Sequence, residues 1–361
     1  MIYAVLLSLL VLVLAWSNGA NDVGKGVATL AGSGVAGARR AILWGSFCTV
    51  LGGLAAAVWG AALVQTFASG FISTGFVINL GFVAGAIAGA ALWIGFATRF
   101  GLPVSTTHAL LGGIVGSVLV TAGPVGLKTA AIANKALAPL LLSPVIAILL
   151  CWCLLLAARW VERRIPAWSS GCCARADWQQ NPFVCAPEGQ RPAPYAQHVW
   201  LGLHWLSSGV TSFARGLNDV PKIAAFLILI LTLTPALSAI FVGSPLWPIT
   251  LVALAMGLGS VWGGMRVLQV LAHRVTPLDP ASGLAANVGT SLLVLLATPF
   301  GLPVSTTHVS TGALLGVRWG DKLKPQRNDA LKLILFGWIV TLPIAAALAA
   351  VTVQLLELVS A

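Results

Sequence analysis

Phe100-Gly-Leu-Pro-Val-Ser-Thr-Thr-His108 recurs unchanged as Phe300-Gly-Leu-Pro-Val-Ser-Thr-Thr-His308, 200 positions further on. A second pair accompanies it: Asn21-Asp22-Val23-Gly24-Lys25 and Asn218-Asp219-Val220-Pro221-Lys222, 197 positions apart. Offsets that agree to within three residues mean one long unit used twice. Each copy sets hydroxyls, an amide and a carboxylate into otherwise apolar sequence, where lipid makes polar groups expensive. These residues form the candidate site.

Composition fixes the surroundings. Of 361 residues, 58% are hydrophobic and 8% charged, with a mean hydropathy of +0.95. Soluble domains carry roughly 25% charged residues. Apolar runs long enough to cross a bilayer recur throughout, so the chain reads as an all-α polytopic membrane protein. The alternating strands of a membrane barrel are missing from the pattern. The net charge of +11 sits mostly in short runs between apolar segments. That placement is a topology signal and argues against nucleic-acid binding. Cys48, Cys151 and Cys153 fall in apolar helices as small hydrophobes. Cys172, Cys173 and Cys185 share a polar loop, match no zinc-ligand spacing and are expected to be free thiols. No cofactor is expected. The first fifteen residues lack the basic start of a signal peptide and should stay as part of a helix.

In chain order, residues 1–16 are apolar and stop at Ser17-Asn18-Gly19-Ala20-Asn21-Asp22. Gly, Asn and Asp favour breaks and N-caps over helix interiors, so the first span is expected to be a broken helix. Further spans follow at 41–64, 75–98, 104–120 and about 136–157. The 104–120 segment either crosses the membrane or re-enters it. A polar stretch, 159–197, links the halves. The second half repeats the plan, with a break expected around Arg215–Asp219. Residues 1–158 and 198–361 are therefore expected to be two membrane repeats. About five crossings per half is an odd number, so the second copy should enter the membrane from the opposite side, as an inverted repeat.

The charges support this. With the N-terminus outside, the inside collects Arg39, Arg40, Arg99, Arg159, Arg163, Arg164, Arg175, Arg191, Arg266, Arg274, Arg318, Lys322, Lys324 and Arg327. Lys128 and Lys135 fall outside. The expectation is a multi-pass protein of the cell (inner) membrane, with both termini outside and the central loop cytoplasmic.

Asp22 and Asp219 are the acidic residues set deep in spans, at equivalent positions. A lone Asp at a break is adequately explained as a cap, but a matched pair points to function. Ser105, Thr106 and Thr107, with Ser305, Thr306 and Thr307, follow a Gly-Leu-Pro interruption at the start of a new helix. Free N–H groups, the helix dipole and nearby hydroxyls suit a tetrahedral oxyanion. Carboxylates repel such an anion, so a cation must screen them, which implies coupled symport. Lys25 and Lys222 recur as well, either neutralising Asp or attracting the anion, or else snorkelling. His108 and His308 suit a proton relay or a packed interface equally.

Gly19-Ala20-Asn21-Asp22 and the paired Gly-Leu-Pro-Val-Ser-Thr-Thr-His segments resemble the inorganic phosphate transporter (PiT) family. The resemblance covers nearly the whole chain apart from the linker. It implies a cation-coupled symporter of inorganic phosphate, not an enzyme, working by alternating access and assembled as a homodimer. It also implies that Asn21, Ser105, Thr106, Thr107, Asn218, Ser305, Thr306 and Thr307 bind phosphate. Asp22, Asp219 and Asn287 would couple the cation, with Asp22 and Asp219 as ligands if Na⁺ or a metal–phosphate complex is used. The chain departs from the pattern at Arg215-Gly216-Leu217, where the motif has Gly-Ala. Where some sodium-coupled relatives carry Glu, it has Cys48-Thr49 and Asn287, which favours H⁺ over Na⁺. The alternatives are a sulfate or other oxyanion permease of the same family and an intramembrane hydrolase using Ser105 or Ser305. Two equal copies suit alternating access better than catalysis.

The topology is testable with an impermeant thiol reagent on intact cells. Cys172 and Cys173 should resist labelling until the membrane is permeabilised; labelling from outside would reverse the orientation.

Overall fold

The computed structural model describes residues 1–164, 194–240, 246–273, 275, 278–320 and 329–360. The three linker cysteines, and Arg175, Arg191, Arg274, Lys322, Lys324 and Arg327 of the charge argument, lie outside the described residues. Among those described, every regular element is helical. In the first half, α1 is Ile2–Gly32, α2 Ala38–Trp59, α3 Ala61–Gln65, α4 Leu80–Arg99, α5 Thr106–Ala122, α6 Thr129–Ala131 and α7 Ala138–Arg164. In the second, α8 is Pro194–Thr232, α9 Pro235–Ile240, α10 Leu246–Gly263, α11 Met265–His273, α12 Pro280–Ala297, α13 Thr306–Gly320 and α14 Asp329–Ser360. Among the described residues, seven helices are long and apolar enough to cross a membrane. With 17 residues, α5 is shorter than the roughly 20 that a span needs.

The expected break in the first span does not occur. α1 runs unbroken for 31 residues through Ser17–Asp22, and α8 runs through Arg215–Asp219. The reason lies in where the helix-breaking residues spend their groups. Asn18, Asn21 and Asp22 bond to other elements instead of capping their own helix. Gly19 is small because α10 needs the room: a Cβ there would overlap the main chain at Met256.

The same device sets the other contacts. Gly259 of α10 lies on the main chain of Trp16, while Gly52 of α2 lies on Phe213 and Gly216 of α8 on Thr49. Gly112 and Gly116 place α5 on Leu342 and Ala346 of α14; Gly312 and Gly316 place α13 on Pro144 and Ile148 of α7. Close backbone approach of this kind is how membrane helices gain packing without a hydrophobic drive. The registers, Trp16 to Gly259 with Ala20 to Gly263, and Gly45 to Ser212 with Gly53 to Val220, make α1 parallel to α10 and α2 parallel to α8. α1 itself runs opposite to α8, with Gly26 beside Ser208 and Ser212 and Asp22 towards Arg215.

Two hairpins fill the centre. Asn79 caps α4 by accepting from the Phe82 N–H, and Asp279 caps α12 in a reciprocal box with Ser282. Chain entry and exit of the first hairpin adjoin, through Ser73 N–H to Gly126 O and Lys128 N–H to Phe71 O. At the tips, Gly101 (φ 69°) and Gly301 (φ 64°) take the left-handed turn that another residue would resist.

Packing at this closeness tolerates little. Gly116→Val should lower the melting temperature in detergent by several degrees, since overpacking costs about 1–3 kcal/mol. Gly75→Ala, which meets open space, should leave it unchanged.

Candidate functional site

Residues 17–32 of α1 are all buried, so the charged groups on that stretch answer to protein and not to lipid. Asn18, Asp22 and Lys25 follow at helical spacing, and α8 presents Arg215, Asp219 and Lys222 at the corresponding positions. Lys25 Nζ bonds Asp22 Oδ1, and Lys222 Nζ lies 3.1 Å from Asp219 Oδ1. At 5% and 0% exposure neither lysine reaches outward, which decides against snorkelling. Both lysines are internal counter-ions of the aspartates.

The hairpin tips close over these pairs. Asn21 grips the first tip, accepting from Val104 N–H at 3.1 Å and donating to Leu102 O at 2.8 Å and Thr98 Oγ1 at 3.0 Å. Val104 O accepts from Lys25 Nζ at 3.1 Å and from Thr307 Oγ1 of the opposite hairpin at 2.7 Å. Val304 O accepts from Lys222 Nζ at 3.1 Å, Asn218 Nδ2 at 3.3 Å and Thr107 Oγ1 at 3.3 Å. Thr107 also takes a bond from Lys222, at 2.8 Å. Each tip is thus tied to both halves.

The six motif hydroxyls divide by task. Ser105 and Ser305 cap α5 and α13, each taking the backbone N–H of the following His at 3.2 Å and meeting its Nδ1 at 2.9 and 2.7 Å. Thr107 and Thr307 cross-link the tips. Thr106 and Thr306 face the carboxylates: Thr306 Oγ1 lies 3.5 Å from Asp22 Oδ2 and 3.4 Å from Asp219 Oδ2, and its single O–H can donate to either. Thr106 Oγ1 lies 3.5 Å from Asp22 Oδ2 and takes a 2.6 Å bond from Asn18 Nδ2. His108 and His308 stack with ring centres 4.6 Å apart, and His308 stacks again on Trp338 at 3.9 Å. This is the packed interface.

Asn287 stands apart from the aspartates. It accepts from Thr29 Oγ1 at 3.0 Å and donates to Ser207 Oγ at 3.1 Å. A small cavity lined by Lys25, Thr29, Asn287, Thr290 and Ser310 connects it to the lysine side of the first pair. Sequence reasoning missed Asn18 and Arg215 as site residues, although the 197-residue offset maps one onto the other.

Comparison with known proteins places this geometry. A profile of the phosphate transporter family matches residues 18–349. A probable low-affinity inorganic phosphate transporter of Rhizobium meliloti is 27% identical, over 95% of this chain and 93% of its own length. A putative phosphate permease of Pyrococcus abyssi is 27% identical, over 96% of each chain. A solved structure described as the sodium-dependent phosphate transporter superposes with a TM-score of 0.81 at 25% identity, covering 99% of this chain and 100% of that one.

The ion pairs should be strongly coupled. Asp22→Asn or Lys25→Met alone strands a buried charge and should cost about 3–5 kcal/mol of stability. The double variant should recover most of that loss in thermal unfolding; simple additivity would refute the pairing.

Proposed function

The chain belongs to the phosphate transporter family, and we propose that it is a symporter that carries inorganic phosphate together with a cation, H⁺ in preference to Na⁺. The observation that carries this reading is the pair of buried Asp–Lys bridges beneath two helix N-termini. α5 and α13 direct free N–H groups and a partial positive charge at the same centre, which suits a tetrahedral oxyanion. Each Asp–Lys bridge is neutral as it stands. A proton delivered to Asp22 or Asp219 releases a lysine, and the freed ammonium can then hold an anion. Proton and anion therefore each favour the entry of the other.

We further infer that residues 1–158 and 198–361 are inverted repeats serving alternating access. The opposite courses of α1 and α8, and the parallel pairing of each with the second helix of the other half, support that reading. On it, the α4–α5 and α12–α13 hairpins re-enter from opposite faces and meet at Val104 and Val304.

One observation favours Na⁺: the superposable structure is of a sodium-dependent protein. Against it stands the sequence, because Cys48, Thr49 and Asn287 add no carboxylate to Asp22 and Asp219. Proteoliposomes with separately imposed pH and sodium gradients decide. Phosphate uptake should rise with an inward proton gradient and ignore sodium; a sodium requirement at fixed pH would overturn the proton reading and keep symport. Asp22→Asn should abolish accumulation while retaining binding. Thr106→Val and Thr306→Val should each weaken phosphate binding in folded protein. Sulfate outcompeting arsenate would point to the sulfate permease instead.

A further inference from the structure

The 197-residue offset that maps Asp22 onto Asp219 and Lys25 onto Lys222 maps Asn18 onto Arg215. Within these buried motifs the two copies differ in charge at this position. Arg215 is 2% exposed and ranks among the largest fully buried side chains. Its guanidinium carries five N–H donors. Nη2 donates to Thr49 Oγ1 at 2.6 Å and Ser260 Oγ at 3.3 Å. Nε and Nη1 have no partner. Three donors of a buried cation are thus unused.

Position and charge say what they are for. Ser260 Oγ, which Arg215 holds, also donates to Gly19 O at 3.1 Å, so the guanidinium lies beside the Asn18–Asp22 turn of α1. It acts electrostatically on both Asp22 and Asp219, but among the described residues no carboxylate lies within ion-pair distance of it. Each aspartate already has its lysine. Three buried cations therefore face two carboxylates, leaving one positive charge uncompensated. Uncompensated buried charge with idle donors is costly unless something arrives to satisfy it. An oxyanion brings both the opposite charge and the acceptors.

Resting on the phosphate-transport reading above, we propose that Arg215 is a direct ligand of the transported anion, donating from Nε and Nη1 to its oxygens. It adds to the helix N-termini a charge that the first half lacks, so the second half contributes the greater share of anion affinity. Thr49 and Ser260 hold the guanidinium through Nη2, and Nε and Nη1 stay without a partner.

The test is equilibrium binding of radiolabelled inorganic phosphate to the purified full-length protein, with folding checked by size-exclusion profile and melting temperature. Arg215→Gln should raise the phosphate Kd by about tenfold or more, the usual effect of losing hydrogen bonds to a charged group. Arg215→Lys keeps the charge but not the planar donors, and should fall between. A merely structural arginine would lower the melting temperature and leave the Kd of the folded fraction intact. Wild type that binds no phosphate removes the transport reading and this proposal with it. Wild type that binds, with a folded Arg215→Gln of equal affinity, overturns Arg215 alone. Should Arg215→Gln fail to fold, a Kd for Arg215→Lys within about twofold of wild type overturns it as well.

Discussion

Two lysine–aspartate bridges, sunk in a protein that is itself sunk in lipid, are the condition that the rest of the structure meets. An ionised carboxylate in such a place costs several kcal/mol even with its partner present, and more if any remaining lone pair or proton is left idle. The hairpin tips remove that residue of cost. Val104 O and Val304 O each take a lysine proton, and Thr106 and Thr306 stand against the far oxygens of the carboxylates. Glycine at the helix crossings lets the backbones come near enough for these short side chains to meet. Tip, bridge and crossing each require the other two.

Much of this was legible in the sequence because it is local or periodic. The helical membrane class, the duplication, the start of α5 after Pro103 and the spacing of Gly112 and Gly116 follow from composition, repeat offset and turn chemistry. The continuity of α1 was not legible. Asn18, Gly19, Asn21 and Asp22 have the preferences of a break, and only partners some 80 to 240 positions away convert them into interior helix. Propensity scales describe a helix in solvent, and these residues face neighbouring helices.

The charge balance was only partly legible. The sequence offers Lys25 and Lys222 as neutralisers of Asp22 and Asp219 but leaves snorkelling open. The structure supplies Lys25 and Lys222 from the next helical turn, and Arg215 beyond them. Each carboxylate is engaged by a lysine in the next turn of its own helix. That Lys25 follows Asp22 by three residues, and Lys222 follows Asp219 likewise, was visible all along. What spacing could not supply was burial, which turns two surface-like pairs into the centre of the molecule.

Gly112 and Gly116 have a further consequence, one of timing. Their partners, Leu342 and Ala346, belong to the last helix, whereas α7 of the first half waits for α13. A nascent chain that has inserted only its first half therefore holds a hairpin with a bare, small-residue face and an outer helix with nothing to lean on. The halves are braided, and residues 329–360 supply the partner of the first half's hairpin. Truncation near the C-terminus should thus be felt at the N-terminal hairpin, which loses the helix packed on Gly112 and Gly116.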